Sequence, residues 1–203
     1  FCKKTKKFKS GIILLFKKEV IKKLSLTNLQ IGKLESYVDA LKGYNSHTNL
    51  VGKSTLENPW KNHVLDSLQI LPFIKSKKLS ILDMGTGAGL PGLALNILGC
   101  ENVTLVDSNG KKITFLIQVK KDLNLSARVI LSRLENLEGL KFDVLTSRAL
   151  ANLDKLFSYS QKFIKKNTVL IFLKGKAVND ELSDAQKNWK FALEKKQSVS
   201  DQR

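Results

Sequence analysis

Residues 81–92 read ILDMGTGAGLPG. An apolar run ends in Asp83, four glycines follow within eight residues, and a second apolar run starts at Leu93. Chains accept that density of glycine only where the backbone turns sharply or comes close to something, because glycine loses more conformational freedom on folding than any other residue. The stretch therefore predicts a strand, a tight turn and a helix in succession. Whether the turn approaches a phosphate, a nucleoside or the neighbouring helix is left open by this stretch.

The chain downstream repeats the alternation. Apolar runs at 79–84, 102–107, 127–131, 142–147 and 168–174 read as strands, and 90–99, 109–124, 152–164 and 177–188 read as helices. Strands alternating with helices form right-handed crossovers and a parallel sheet covered on both faces, an α/β fold. Ligands of such sheets sit beyond the carboxyl ends of the strands, where Asp83, Asp107 and Arg148 all fall. Upstream the pattern is helical. Leu26, Leu29, Leu34, Val38 and Leu41 recur at helical spacing within 12–43. A turn-rich break covers 42–52, and 58–74 reads as a helix with Pro59 near its start and Pro72 near its end. The expected organisation is a basic arm over 1–23, a helical cap over 24–75 and an α/β domain over 76–203.

The 203-residue chain has a formal net charge of +17, which attracts polyanions, nucleic acid first among them. The arm alone holds nine lysines against one glutamate. No apolar run approaches the roughly 18 residues that span a bilayer, so no membrane partner is expected. The island GIILLF is shorter than the apolar region of a signal peptide, and no small-residue cleavage site follows it. Cys2 and Cys100 form no CxxC pair, so neither a metal nor a disulfide framework is expected, and a cytoplasmic location is.

Gly87-Ala-Gly-Leu-Pro-Gly92 satisfies the GxGxxG pattern of dinucleotide sites. Two details oppose that reading. Pro91 has no N–H to offer a pyrophosphate at the helix start. Asp83, just before the first glycine, suits a cationic or hydroxyl-bearing ligand better than an anion. S-adenosylmethionine carries a cationic amino group and a sulfonium and has no phosphate. Asp107 is placed to accept hydrogen bonds from ribose hydroxyls, which nicotinamide and methyl-donor sites share.

DMGTGAGLPG closely resembles the glycine loop of the bacterial small-subunit ribosomal RNA guanine-N7 methyltransferases, the glucose-inhibited division protein B family. YNSHTNL (44–50), HVLDS (63–67), LVDSNGKKITFL (105–116), SRLENL (132–137), TSRA (146–149) and LKG (173–175) fit the same family in order and spacing, from about Leu26 to about Trp189. The resemblance implies a Rossmann-like class I S-adenosylmethionine-dependent methyltransferase with a helical N-terminal cap. The small ribosomal subunit or its RNA would be the partner, and the protein is expected to be a monomer. Gly85 and Leu90 would contact the methyl donor, and Leu134 and Glu135 would flank its adenine. Arg148 would lie near both donor and target base as the catalytic residue. The resemblance also implies that the chain would continue past SVSDQR into a last sheet strand pairing with 191–196, a strand expected to be missing here.

The residues themselves bear on the chemistry. Methylation of an exocyclic amino group resembles enzymes with an Asn/Asp-Pro-Pro-aromatic loop after the fourth strand, where this chain reads SRAL. Attack by carbon-5 of a pyrimidine needs a cysteine nucleophile, and neither cysteine follows a late strand. Guanine N7 is an in-plane lone pair with no proton to remove, so it needs placement and no general base. His63 and Asp66, three apart on one helix, share a face and could line the target entrance. Lys174, after the fifth strand, is a candidate phosphate contact, and Lys111 and Lys112 read as a solvated helix start. Two other classes stay open at this point: a basic RNA-binding protein without turnover, and a nicotinamide oxidoreductase.

Overall fold

The order of strands in the sheet fixes where a ligand can sit. In the computed structural model, which describes residues 16–200, five parallel strands run in the order β3-β2-β1-β4-β5. They are β1 (Ser80–Met84), β2 (Asn102–Asp107), β3 (Arg128–Leu131), β4 (Val144–Arg148) and β5 (Val169–Leu173). Helices α4 (Gly92–Ile97), α5 (Gly110–Asp122), α6 (Leu153–Ser160) and α7 (Val178–Asn188) alternate with them. The expected α/β architecture is present, each strand within two residues of its predicted limits.

The two-residue period of the strands sorts their side chains onto two cores. Ile81, Val103, Leu105 and Val144 join one cluster with α4 and α5. Leu82, Met84, Val106 and Leu145 join the other with Leu153 and Leu156 of α6 and Ala185 of α7. The N-terminal helices add to the first core. Helix α1 spans 16–24 and α2 spans Asn28–Asn45. Leu34, Tyr37, Val38 and Leu41 of α2 are buried in the same cluster as Leu93 and Phe115. Gln30 also donates to the Leu98 carbonyl at 3.3 Å, so α2 is fastened to α4 by polar as well as apolar contacts.

Several expectations are corrected. The helical spacing over 12–43 belongs to two helices, broken at Ser25, whose φ is 49°. The second helix starts at a capping box made by Thr27 and Gln30, the arrangement that satisfies two orphan amides at once. Leu29, which shares that helical spacing, is 70% exposed. The stretch 58–74 is not one helix. Trp60–Leu65 winds as a wide π-type turn, Asp66–Leu68 (α3) tightens to α, and Leu71–Phe73 closes as a single 3₁₀ turn. Pro72 supplies the break, since it cannot donate into a helical ladder. Over 191–196 no strand forms among the described residues. Phe191 and Trp189 instead pack on Phe157, with ring centroids 4.8 and 5.9 Å away. Residues 1–15, most of the basic arm, lie outside the described residues. No helix among the described residues is long and apolar enough to cross a membrane.

Candidate active site

Strand order reverses between β1 and β4, so the connections leaving their carboxyl ends part and open a crevice there. The glycine loop leaves β1 into it and Arg148 ends β4 beside it.

Asp83 does not face this crevice, which corrects the role expected of it. It is fully buried. One carboxylate oxygen, Oδ2, accepts from Thr86 Oγ1 at 2.5 Å and from the Gly92 amide at 2.9 Å, and Oδ1 accepts from Thr146 Oγ1 at 2.9 Å. The acid is a staple that ties β1, the glycine loop, the start of α4 and β4 together. Burial pushes its carboxyl up to about 6 in spite of three donors. The same bonds close the helix start to anions. Pro91 has no N–H, the Gly92 amide is taken by Asp83, and the Leu93 amide donates to Gly89 O at 2.7 Å. The objection to a pyrophosphate thus stands, on a sharper ground than the charge of Asp83.

Asp107 ends β2 at the rim. Its Oδ2 accepts from the Gly87 amide and its Oδ1 from the Asn109 amide, both at 2.9 Å. A carboxylate offers about four lone-pair sites, so two remain for outside donors. Gly87 stands beside it with φ +58°, and a Cβ placed there would meet only Gly85 O at 3.9 Å and Lys112 Nζ at 4.0 Å. This is the open face of the loop. Lys112 is therefore more than a solvated helix start, since its ammonium also lies 4.0 Å from Asp107 Oδ2.

The other glycines approach protein. A Cβ on Gly92 would stand 2.4 Å from Leu105 Cδ2, and one on Gly89 2.7 Å from Leu116 Cδ2. Gly85, expected to meet the donor, has Leu150 over it, 2.4 Å from where its Cβ would be. Leu150 is 36% exposed and follows Ala149, whose φ of 55° turns the chain sharply after β4. Leu90 is buried, and its amide donates to Thr86 O at 3.1 Å.

Past β3, Leu134 and Glu135 sit on a 3₁₀ turn, the first buried and the second exposed. The Glu135 carboxyl lies below the usual range, chiefly through its own backbone amide and the Tyr159 hydroxyl. Lys174 donates to Ala151 O at 2.8 Å and pairs with Glu181 at 2.6 Å, which leaves one N–H uncommitted. Arg148 is half-buried and pairs with Asp66 at 3.0 Å. His63 does not line an entrance: it is 3% exposed, and both ring nitrogens are engaged, by Thr55 at 2.8 Å and Arg148 at 3.3 Å. Burial, with Arg148 adding to it, lowers its pKa to about 4.

Tyr37 escaped the sequence reading. Its hydroxyl donates to the Ala88 carbonyl at 2.8 Å, in the middle of the glycine loop. The signal was there, since a tyrosine on the apolar face of a helix must find a partner for its hydroxyl when buried.

The GidB family model, rRNA small subunit methyltransferase G, matches residues 30–203. The ribosomal RNA small subunit methyltransferase G of Rhodospirillum rubrum is 40% identical over 173 residues, covering 84% of this chain and 85% of that protein. Its counterpart in Rickettsia prowazekii is 36% identical, covering 84% and 88%. The chain belongs to the methyltransferase G family. Among solved structures, the ribosomal protein L11 methylase of Lactobacillus delbrueckii subsp. bulgaricus aligns with a TM-score of 0.51 at 22% identity, covering 60% of this chain and 63% of that one. Coclaurine N-methyltransferase bound to N-methylheliamine and SAH aligns with a TM-score of 0.51 at 18% identity, covering 81% and 57%. These two share the fold of this methyltransferase G chain.

The donor set fits the methyl donor of such a fold. Asp107 has lone pairs for a ribose diol, Gly87 leaves the adjoining space clear, and the Gly92 and Leu93 amides at the helix start are already engaged.

Proposed function

We propose that this protein transfers a methyl group from S-adenosylmethionine to N7 of a guanine in small-subunit ribosomal RNA. The match of residues 30–203 to the methyltransferase G family carries the reading, and the pairing of Asp107 with the open face of Gly87 supports it. S-adenosylmethionine, when bound, supplies an electrophilic methyl on a sulfonium. Asp107 would accept from the ribose hydroxyls, Gly85, Gly87 and Leu90 would lie under the donor, and Leu134 and Glu135 would flank its adenine. Leu150 has to leave Gly85, or share that space, for the donor to seat.

The protein's task toward the acceptor is alignment, since an in-plane lone pair needs no base to free it. His63 is unsuited to a base's work, being buried with both nitrogens engaged. Cys100 is fully buried and follows α4 at the opposite end of the sheet, away from the crevice. Arg148 keeps uncommitted N–H groups for the RNA, and Lys174 one for a phosphate. The net charge of +17 draws the polyanion in. The reading includes a cytoplasmic location, the small ribosomal subunit or its RNA as partner, and a monomeric enzyme.

The test is transfer of labelled methyl to small subunits that lack the modification, with mapping of the labelled base and donor binding measured on the same sample. Label at N7 of one guanine is the expected result. Label on another atom refutes the assignment of N7, and a folded protein that binds no donor refutes the site.

A further inference from the structure

Arg148 is held by one short stretch of chain, Thr55 to Asp66. Of its five guanidinium N–H groups, Nη1 donates to Asn62 O at 3.1 Å and to Asp66 Oδ2 at 3.0 Å. Nη2 lies 3.3 Å from His63 Nδ1. The far side of that ring fixes its tautomer. Thr55 Oγ1 is 2.6 Å from Gly52 O and 2.8 Å from His63 Nε2. A hydroxyl has one hydrogen, and the carbonyl can only accept, so the hydroxyl donates to Gly52 and His63 Nε2–H donates to the hydroxyl. Nδ1 is then a lone pair aimed at Nη2. The opposite tautomer would set N–H against N–H at Arg148 and leave two acceptors 2.6 Å apart at Gly52. Asp66 is fixed in turn, its Oδ1 accepting from Gln69 Nε2 at 3.0 Å and from Ser200 Oγ at 2.6 Å.

Three N–H groups are thus spent, and Nε–H and one Nη2–H are left at the carboxyl end of β4. We propose that His63 and Asp66 are positioning residues that lock the plane of Arg148, so that its two remaining N–H groups meet an oxygen of the RNA substrate. This rests on the reading of Arg148 as the residue that faces the acceptor. The oxygen is guanine O6 or a phosphate oxygen. A fork spanning both O6 and N7, the usual arginine contact to guanine, is excluded, because it would occupy the lone pair that attacks.

The test compares His63→Leu, which offers neither donor nor acceptor, with His63→Gln, whose amide offers one of each. Turnover on small subunits, the affinity for S-adenosylhomocysteine, and the Nη proton signals of Arg148 by NMR are measured on each. The wild type is expected to give separate Nη signals, which a locked guanidinium shows and a rotating one averages. His63→Leu should merge them and lower kcat about 10²-fold, the scale of a 1 Å misplacement, with donor affinity within about twofold. His63→Gln should recover at least about tenfold of the loss. Equal kcat in the Leu and Gln variants, or merged signals in the wild type, overturns the proposal. Separate signals in a wild type that methylates no RNA would uphold the lock and refute the function. Substrate carrying 2-aminopurine at the target keeps N7 and lacks O6. If the cost of Arg148→Lys vanishes on it, the oxygen is O6, and if the cost persists the oxygen is a phosphate's.

Discussion

Two alanine substitutions separate the jobs done within the glycine loop. A Cβ on Gly92 would sit 2.4 Å from Leu105 Cδ2, 2.7 Å from Asp83 Cβ and 2.9 Å from Asp83 Oδ2. Ordinary carbon contacts are about 3.5–4.0 Å, so the overlap is about 1 Å or more with Leu105 and about 1 Å with Asp83, both fully buried strand residues. Overpacking of this kind costs about 1–3 kcal/mol. Moving Asp83 also stretches its bond to the Gly92 amide, a charged hydrogen bond that contributes about 1.5–3 kcal/mol. Gly92→Ala should therefore lose roughly 4 kcal/mol, a large part of a typical 5–15. At about 2–4 °C per kcal/mol for a chain of this size, Tm falls on the order of 10 °C. Gly87→Ala meets open space. Its φ of +58° strains an alanine by about 1–2 kcal/mol, and the new methyl stands beside Asp107. It should lower Tm by only a few degrees and weaken S-adenosylhomocysteine binding at least tenfold. Thermal melting and titration calorimetry on both variants decide it. Gly92→Ala melting within 2 °C of the parent, or Gly87→Ala binding with parental affinity, refutes this division of the loop.

Tyr37→Phe leaves the Ala88 carbonyl unpaired in the interior, at about 1–3 kcal/mol, and should weaken donor binding several-fold by loosening the loop; calorimetry showing no change would detach α2 from the donor site. Asp107→Asn exchanges an acceptor for a donor next to the Gly87 and Asn109 amides and should cost donor affinity at least tenfold, read by the same titration. Acid should act on His63 and Asp83 with opposite signs. Neutral His63 contributes stability that is present above about 6.5 and lost as pH falls toward its folded value of about 4. Asp83, raised to about 6, makes the fold lose stability as pH rises from about 3.8 to 6. Urea melts from pH 4.5 to 6.5 should show His63→Gln losing less stability on acidification than the parent, and parallel curves would contradict the assignment.

The sheet was legible because each strand is a short apolar run bounded by turn chemistry, and because GTGAGLPG names its own turn. Positions at strand ends, such as Asp107 and Arg148, followed from topology. The helical part was less legible. Leu29 fits the helical spacing as well as Leu34 does, and only the angle at which α2 crosses α4 decides which is buried. The break at Ser25 depends on a single left-handed residue that no period reveals. Asp83 was misjudged for a related reason: a carboxylate near a glycine loop looks ligand-facing, yet the pleat sends residue 83 to the same face as Gly92. Asn62 and His63 could not be joined to Arg148 from sequence, since 86 and 85 residues separate them from it, and Thr55 lies further away still.

The N-terminal helices read as a cap in sequence, and their hydrogen bonds give them a further task. Methyl transfer needs nucleophile, methyl and leaving sulfur in line, and small errors in that line are costly. In the proposed reading the loop after β1 would hold the donor and Arg148, at the end of β4, would face the acceptor, two segments that strand order drives apart. Within the sheet they are joined by Asp83 through Thr146 and by Ser147 Oγ donating to Met84 O at 3.1 Å. The same N-terminal helices touch both again from above, Tyr37 at the Ala88 carbonyl and Asp66 at Arg148. If this double attachment sets the line, Tyr37→Phe and His63→Leu perturb one geometry from two sides, and their effects on kcat should be less than additive. Fully additive losses in the double variant would mean that loop and arginine are positioned independently, and that the helices only cover the site.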